Sequence, residues 1–308
     1  MTGIALSFPC HTDKESEDTK VETKTQTCCK DRLFRFIFGS MDNAENILSL
    51  YNALNGTNYT DQRLLEITTL EDAVYIRMKN DVSFLISSHM VLWEQQSTYN
   101  PNMPLRGLMY FGELYSAYVE TNGKSLYGST LVKIPTPQYV VFYNGVDDIE
   151  PMRKLRLSDS FIRKDKSGEF EWTATMYNLN KGKNDSLLDK CKPLKDYMVL
   201  IQYIRGNLKS GIPIEAAVDE AVKKCIEEDV MREFLLKHRS EVKRMCITEF
   251  NEKTYEDAIR NEGSEKAIFS CVQKGLLSEK DGANELNLSI TDFERKMEEA
   301  GYKIPVNI

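Results

Sequence analysis

Residues 80–106, NDVSFLISSHMVLWEQQSTYNPNMPLR, constrain the fold more than any other stretch of the chain. Residues 82–86 and 90–96 are short runs rich in β-branched and aromatic residues with a small polar gap between them, the pattern of a β-hairpin. Asp81, Glu94, Gln95 and Gln96 fall within this most apolar part of the sequence. A turn centred on Ser88 and His89 sets Asp81 opposite Gln96 and Ser83 opposite Glu94. Side chains alternate faces along a strand. Asp81, Glu94 and Gln96 then share one face, and Val91, Trp93 and Gln95 share the other. In this register Asp81 and Glu94 are diagonal neighbours, ~7–8 Å apart between Cα atoms.

Two carboxylates at that spacing suit a hard divalent cation. Mg²⁺ takes oxygen ligands and commonly uses one or two carboxylates together with phosphate oxygens and water. The ion offsets the repulsion between the two acids and polarises a phosphodiester; Mn²⁺ can substitute. Gln96 is neutral, so it can hydrogen-bond a water or a phosphate oxygen but cannot serve as a general base. The solvated polar face of an edge strand gives the same residue pattern, and spacing alone does not separate the two readings.

Composition narrows the chemistry. The seven cysteines are odd in number and contain no C-x-x-C pair, and the three histidines lie far apart in sequence. Disulfide frameworks, zinc sites and most histidine-based triads are therefore not expected, which leaves carboxylates as the likeliest reactive groups. A net charge of −7 makes any nucleic-acid contact local rather than global. The first ten residues lack the features of a secretory leader, and no run approaches the eighteen apolar residues of a membrane span. The expectation is a cytoplasmic protein without a membrane partner.

Residues 1–25 are polar and charged, and read as a loosely held tail. Residues 31–56, DRLFRFIFGSMDNAENILSLYNALNG, predict two helices. In the first, Leu33, Phe34, Ile37 and Phe38 share a face; the second covers 43–55 and stops at Asn55-Gly56. Strands are expected over 73–78, 82–86 and 90–96, a helix with Pro104 near its start over 103–121, and a strand over 138–145. A further strand falls within 170–179, and helices over 193–261. The expected class is α/β, with the order helix, three-strand meander, helix, strand, followed by a helical C-terminal region. The expected domains are 26–260 and a small three-helix module at 263–302.

With Asp81 opening one strand, Glu94-Gln95-Gln96-Ser97-Thr98 ending the next and NPNMPLRGLMY opening a helix, the chain resembles the PD-(D/E)XK nuclease superfamily. The resemblance is closest to its recombination-promoting nuclease and transposase branch, Rpn, and runs over roughly residues 31–260. FRFIFG, NALNG and YNG support it. It implies a restriction-endonuclease-like core and Mg²⁺-dependent cleavage of DNA phosphodiesters, with Asp81, Glu94 and Gln96 as catalytic residues and Asp81 and Glu94 as metal ligands. Gln96 stands where the wider superfamily has lysine. Asp31 lies where relatives carry an accessory acid, although an N-cap role explains it equally.

Arg106, three positions into the helix after the motif, can reach a phosphate or Glu94; a solvated or ion-paired arginine is the alternative. Glu71 and Asp72 are turn acids or a third ligand. Residues 151–195 hold eleven Lys and Arg against six Asp and Glu. Of these, Lys154, Arg156, Arg163 and Lys164 are the expected DNA contacts; a solvated charged loop is the alternative. The 263–302 module has serine N-cap signals at Ser278 and Ser289 and a helix-turn-helix spacing. Its last helix, ITDFERKMEEA, carries four acids and two bases. That favours partner docking or a homodimer over groove insertion. The rival to an enzyme is a catalytically degenerate DNA-binding or protein-interaction module of the same fold.

Overall fold

The computed structural model describes residues 32–68, 82–164, 167–274 and 276–303, and of 252–262 the backbone alone. Asp31, Glu71, Asp72, Asp81 and the expected strand at 73–78 lie outside the described residues. The chain opens with α1 (Arg32–Phe38) and α2 (Ala44–Asn55). Leu33, Phe34, Ile37 and Phe38 form the buried face of α1. Gly56 ends α2 in the left-handed conformation, φ 64°, and returns its N–H to the Asn52 carbonyl. A residue with a Cβ would be strained there.

Among the described residues six strands form one mixed sheet: β1 (Leu65–Ile67), β2 (Val82–Ile86), β3 (His89–Gln96), β4 (Thr136–Tyr143), β5 (Met152–Arg156) and β6 (Thr173–Asn178). Their spatial order is β1-β2-β3-β4-β6-β5. The first three strands are an antiparallel meander; β4 runs parallel to β3, β6 parallel to β4, and β5 closes the far edge antiparallel to β6. The chain crosses from β3 to β4 through α3 (Met103–Thr121), as a parallel neighbour requires. The outer strand of the meander among the described residues is 65–67, a strand the sequence pattern did not signal. β5 was likewise not expected.

The register of the β2–β3 hairpin corrects the sequence reading. Ile86 pairs with His89 and Val82 with Trp93, so Ser83 faces Leu92 rather than Glu94. The loop is Ser87-Ser88, with Ser87 at φ 54°. A two-residue hairpin loop needs a positive φ to match the right-handed twist of its strands, and Ser87 supplies it without being glycine or asparagine. The turn moves by one residue and each pairing by two, so every side chain keeps its face.

Each face of the sheet has its own core. Val82, Phe84, Val91, Trp93, Val140 and Phe142 pack against α1, α2 and the helices that follow the sheet. Met90, Leu92, Tyr139, Val141, Tyr143, Leu155 and Met176 pack under α3 with Met103, Tyr110, Phe111 and Leu114. After α4 (Asp185–Lys190), the first layer is completed by α5 (Lys192–Lys209), α6 (Ile214–Glu227), α7 (Arg232–Lys237) and the start of α8 (Arg239–Gln273). The boundary expected at 260–263 falls inside the continuous helix α8. Beyond it, α9 (Glu279–Glu285) and α10 (Ile290–Glu299) enclose a separate small core of Phe269, Val272, Ala283, Phe293 and Met297. Ser278 and Ser289 cap these two helices, accepting from the Asp281 and Asp292 amides at 3.1 Å each. No described helix is long and apolar enough to cross a membrane.

Candidate functional site

β3 is an interior strand covered on both faces, so its polar residues are not on a wet edge. Glu94, Gln95 and Gln96 are all buried. The solvated-face reading therefore does not hold for Glu94. Glu94 and Gln96 lie on the α3 face beside Val141 and Tyr143 of β4, while Gln95 points into the opposite layer beside Phe142.

The turn after β3 sends α3 back across the sheet. α3 rests close enough that a Cβ on Gly107 would stand 2.3 Å from the Tyr139 ring and 3.1 Å from the Trp172 indole nitrogen. Glycine at this point is what lets the adjacent Arg106 reach down to β3. One Nη of Arg106 donates to Glu94 Oε2 at 2.9 Å and to the Tyr110 hydroxyl at 3.0 Å, and the other approaches the Met103 sulfur at 3.5 Å. The guanidinium also lies 5.7 Å from the centre of the Tyr110 ring. The Arg106 side chain is 29% exposed and that of Glu94 1%.

Glu94 Oε1 is buried and accepts no hydrogen bond among the described residues. A buried polar atom without a partner costs about 1–3 kcal/mol, more when it is charged. Burial is accordingly the main influence on this carboxyl: it lifts the pKa from 4.5 to about 7, against the opposing pull of Arg106. Burial also works against the charge on Arg106, but Glu94 and Tyr110 outweigh it and hold the guanidinium protonated. The result is an acid only half compensated: among the described residues one oxygen has a cation and the other has none. When ionised, such an oxygen is a hard donor suited to Mg²⁺ or Mn²⁺.

The ends of the parallel strands next to Gln96 carry a polar network. The Asn144 amide donates to the Gln96 carbonyl at 3.1 Å. Arg205 of α5 grips Asn144 with both ends of its fork, 2.5 Å to the carbonyl and 3.1 Å to Oδ1, and Asn144 Nδ2 donates to the Tyr197 hydroxyl at 3.3 Å. A Cβ on Gly145 would lie 2.5 Å from the Ser97 carbonyl, so this turn presses directly on the segment leaving β3. Asn178 donates to the Ile149 carbonyl at 2.7 Å, and Asn184 to the Pro151 carbonyl at 2.5 Å. Through these bonds Asn178 and Asn184 tie segments about thirty residues apart. Arg205 was missed altogether, because a lone arginine on an amphipathic helix carries no local signal of its distant partner.

The expected DNA contacts divide. Lys154 and Arg156 pair with Thr175 and Thr173 on the face opposite Glu94, and β5 is three strands from β3. At about 4.8 Å per strand this is about 14 Å along the sheet as well as the wrong side of it. Arg156 stands 4.0 Å from Glu171. Arg163 and Lys164 are exposed in the loop that follows β5. Arg153, which the sequence did not single out, does lie on the α3 face, paired with Glu150 at 2.5 Å and stacked 5.3 Å from the Tyr99 ring. Among the described residues no three His, Cys, Asp or Glu side chains form a metal-binding cluster; Asp81 lies outside them. No protein-family model and no curated protein matches this chain.

Proposed function

We propose that the chain is a Mg²⁺-dependent DNA endonuclease of the recombination-promoting nuclease type, built on a restriction-endonuclease-like core. The observation that carries the reading is Glu94 Oε1, a carboxyl oxygen buried on an interior strand with no donor of its own among the described residues. The described β2–β3 ladder ends with Val82 opposite Trp93. In the sequence, Asp81 directly precedes β2. Asp81 and Glu94 hold the cation in this reading. When bound, Mg²⁺ supplies positive charge that stabilises the charge building on the phosphodiester.

The chain's own residues do the rest. Gln96 orients water or a phosphate oxygen through its amide. Water oxygen adds to phosphorus and gives up a proton to solvent, one P–O ester bond breaks, and the leaving alkoxide oxygen takes a proton from solvent, giving a phosphate monoester and an alcohol. Arg163 and Lys164 neutralise backbone phosphates. Lys154 and Arg156 contribute only to DNA that passes around the β5 edge. The free thiols of Cys191, Cys225, Cys246 and Cys271 fit a reducing, cytoplasmic setting.

A second reading, a degenerate DNA-binding or interaction module, is favoured by a different observation. Arg106 already neutralises Glu94 through Oε2 at 2.9 Å. Plasmid nicking separates the two. Purified protein with Mg²⁺ is expected to relax supercoiled DNA, and Asp81→Ala is expected to abolish the activity. Equal nicking by both proteins removes Asp81 from the mechanism, and no nicking by either favours the degenerate module.

A further inference from the structure

Arg106 is the only member of its ion pair that solvent can reach. Its side chain is 29% exposed against 1% for Glu94. An anion approaching from solution therefore meets the guanidinium before the carboxylate. Glu94 and Tyr110 share a single Nη, and among the described residues the other Nη meets the Met103 sulfur alone. The planar fork of arginine matches two phosphate oxygens at once, and most of its N–H groups are not committed to oxygen acceptors among the described residues.

The same geometry limits what Glu94 can bind. A divalent cation at Oε1 would sit within a few ångströms of a guanidinium already on Oε2. Two positive centres on one carboxylate repel, and burial weakens the screening that would relieve them. A phosphodiester on the exposed side of Arg106 supplies the missing negative charge.

We propose that Arg106 is a phosphate-responsive counterion: alone it neutralises Glu94 and weakens cation binding there, and a phosphodiester engaging its free N–H groups strengthens that binding. The inference rests on the cation-site reading of Glu94, though not on cleavage itself. It makes the site load its metal in response to nucleic acid. Binding of the two is then coupled reciprocally, so the cation must also tighten the phosphodiester.

The test is calorimetric titration of the full chain with Mn²⁺, with and without dimethyl phosphate, a soluble phosphodiester carrying one negative charge. Wild-type protein is expected to bind Mn²⁺ about five- to tenfold more tightly with dimethyl phosphate present, the lower range of allosteric couplings. Arg106→Gln is expected to bind Mn²⁺ more tightly than wild type without the phosphodiester, and to show no response to it. The wild-type comparison decides the matter even if the variant does not fold. Unchanged wild-type affinity, or a response that persists in Arg106→Gln, overturns the proposal. Absence of Mn²⁺ binding throughout overturns it together with the cation site. Coupling without plasmid nicking leaves it standing while the nuclease reading falls; nicking without coupling does the reverse.

Discussion

The two faces of β3 are equally buried and held by different physics. On one face Trp93 packs among Phe38, Phe84 and Phe142, with ring centres 6.3, 4.7 and 6.1 Å away. On the other, one residue along, Glu94 meets a single guanidinium and leaves an oxygen without a partner among the described residues. The aromatic face is held by ring packing, although the Trp93 indole nitrogen is buried without a hydrogen-bond partner among the described residues, and it carries no titrating carboxylate. The carboxylate face is costly to bury and depends on few contacts. Burying a carboxylate beside a well-packed tryptophan costs stability that an apolar residue at the same position would not.

Substitution on each face sharpens the contrast. Trp93→Ala empties the centre of the aromatic cluster and is expected to cost about 3–5 kcal/mol, measured by urea unfolding. Loss of less than about 1 kcal/mol would show that this face is not the main stabilising layer. Arg106→Met leaves Glu94 buried without its counterion and is expected to cost about 2–3 kcal/mol at pH 8, below the full cost of breaking a buried pair because Arg106 is partly exposed. The same substitution at pH 5, where Glu94 can take up a proton, is expected to cost less.

The smallest expected effect is the pH response of Glu94 itself. Its carboxyl is raised from 4.5 to about 7, chiefly by burial. The folded protein therefore holds this proton more tightly than the unfolded chain. The group's contribution to stability is fully present below about pH 4.5, is lost as pH rises from there through 7, and is flat above. Glu94→Gln removes that slope. Relative to wild type, the variant should gain stability between pH 5 and pH 8 in urea midpoints, whereas parallel curves would contradict burial as the controlling influence.

Much of the scaffold was legible because its signals are local. Leu33, Phe34, Ile37 and Phe38 mark a helix face by spacing alone, Asn55-Gly56 marks a helix end, and Pro104 marks the start of α3. β5 was not legible: in MRKLR only Leu155 is buried, and its edge position is set by pairing with β6. The hairpin register was misplaced because Ser87 carries no hint that it adopts a positive φ. At the site, the sequence singled out Glu94, Gln96 and Arg106, and named Glu94 as one contact Arg106 can reach. It did not foresee the full burial of Glu94, which follows from β4 covering the far side of β3 through a parallel crossover. Nor did it separate Lys154 and Arg156 from the Glu94 face, a distinction that depends on strand parity across three neighbours.

The most direct measurement is a crystal structure of the protein grown with Mn²⁺, with anomalous data collected at the manganese edge. The account predicts a peak beside Glu94 Oε1, about 2.0–2.2 Å from that oxygen and from an Asp81 carboxylate oxygen, as a small divalent ion on carboxylates requires. No peak there, with Glu94 bound to Arg106 alone and Asp81 turned away, would contradict it.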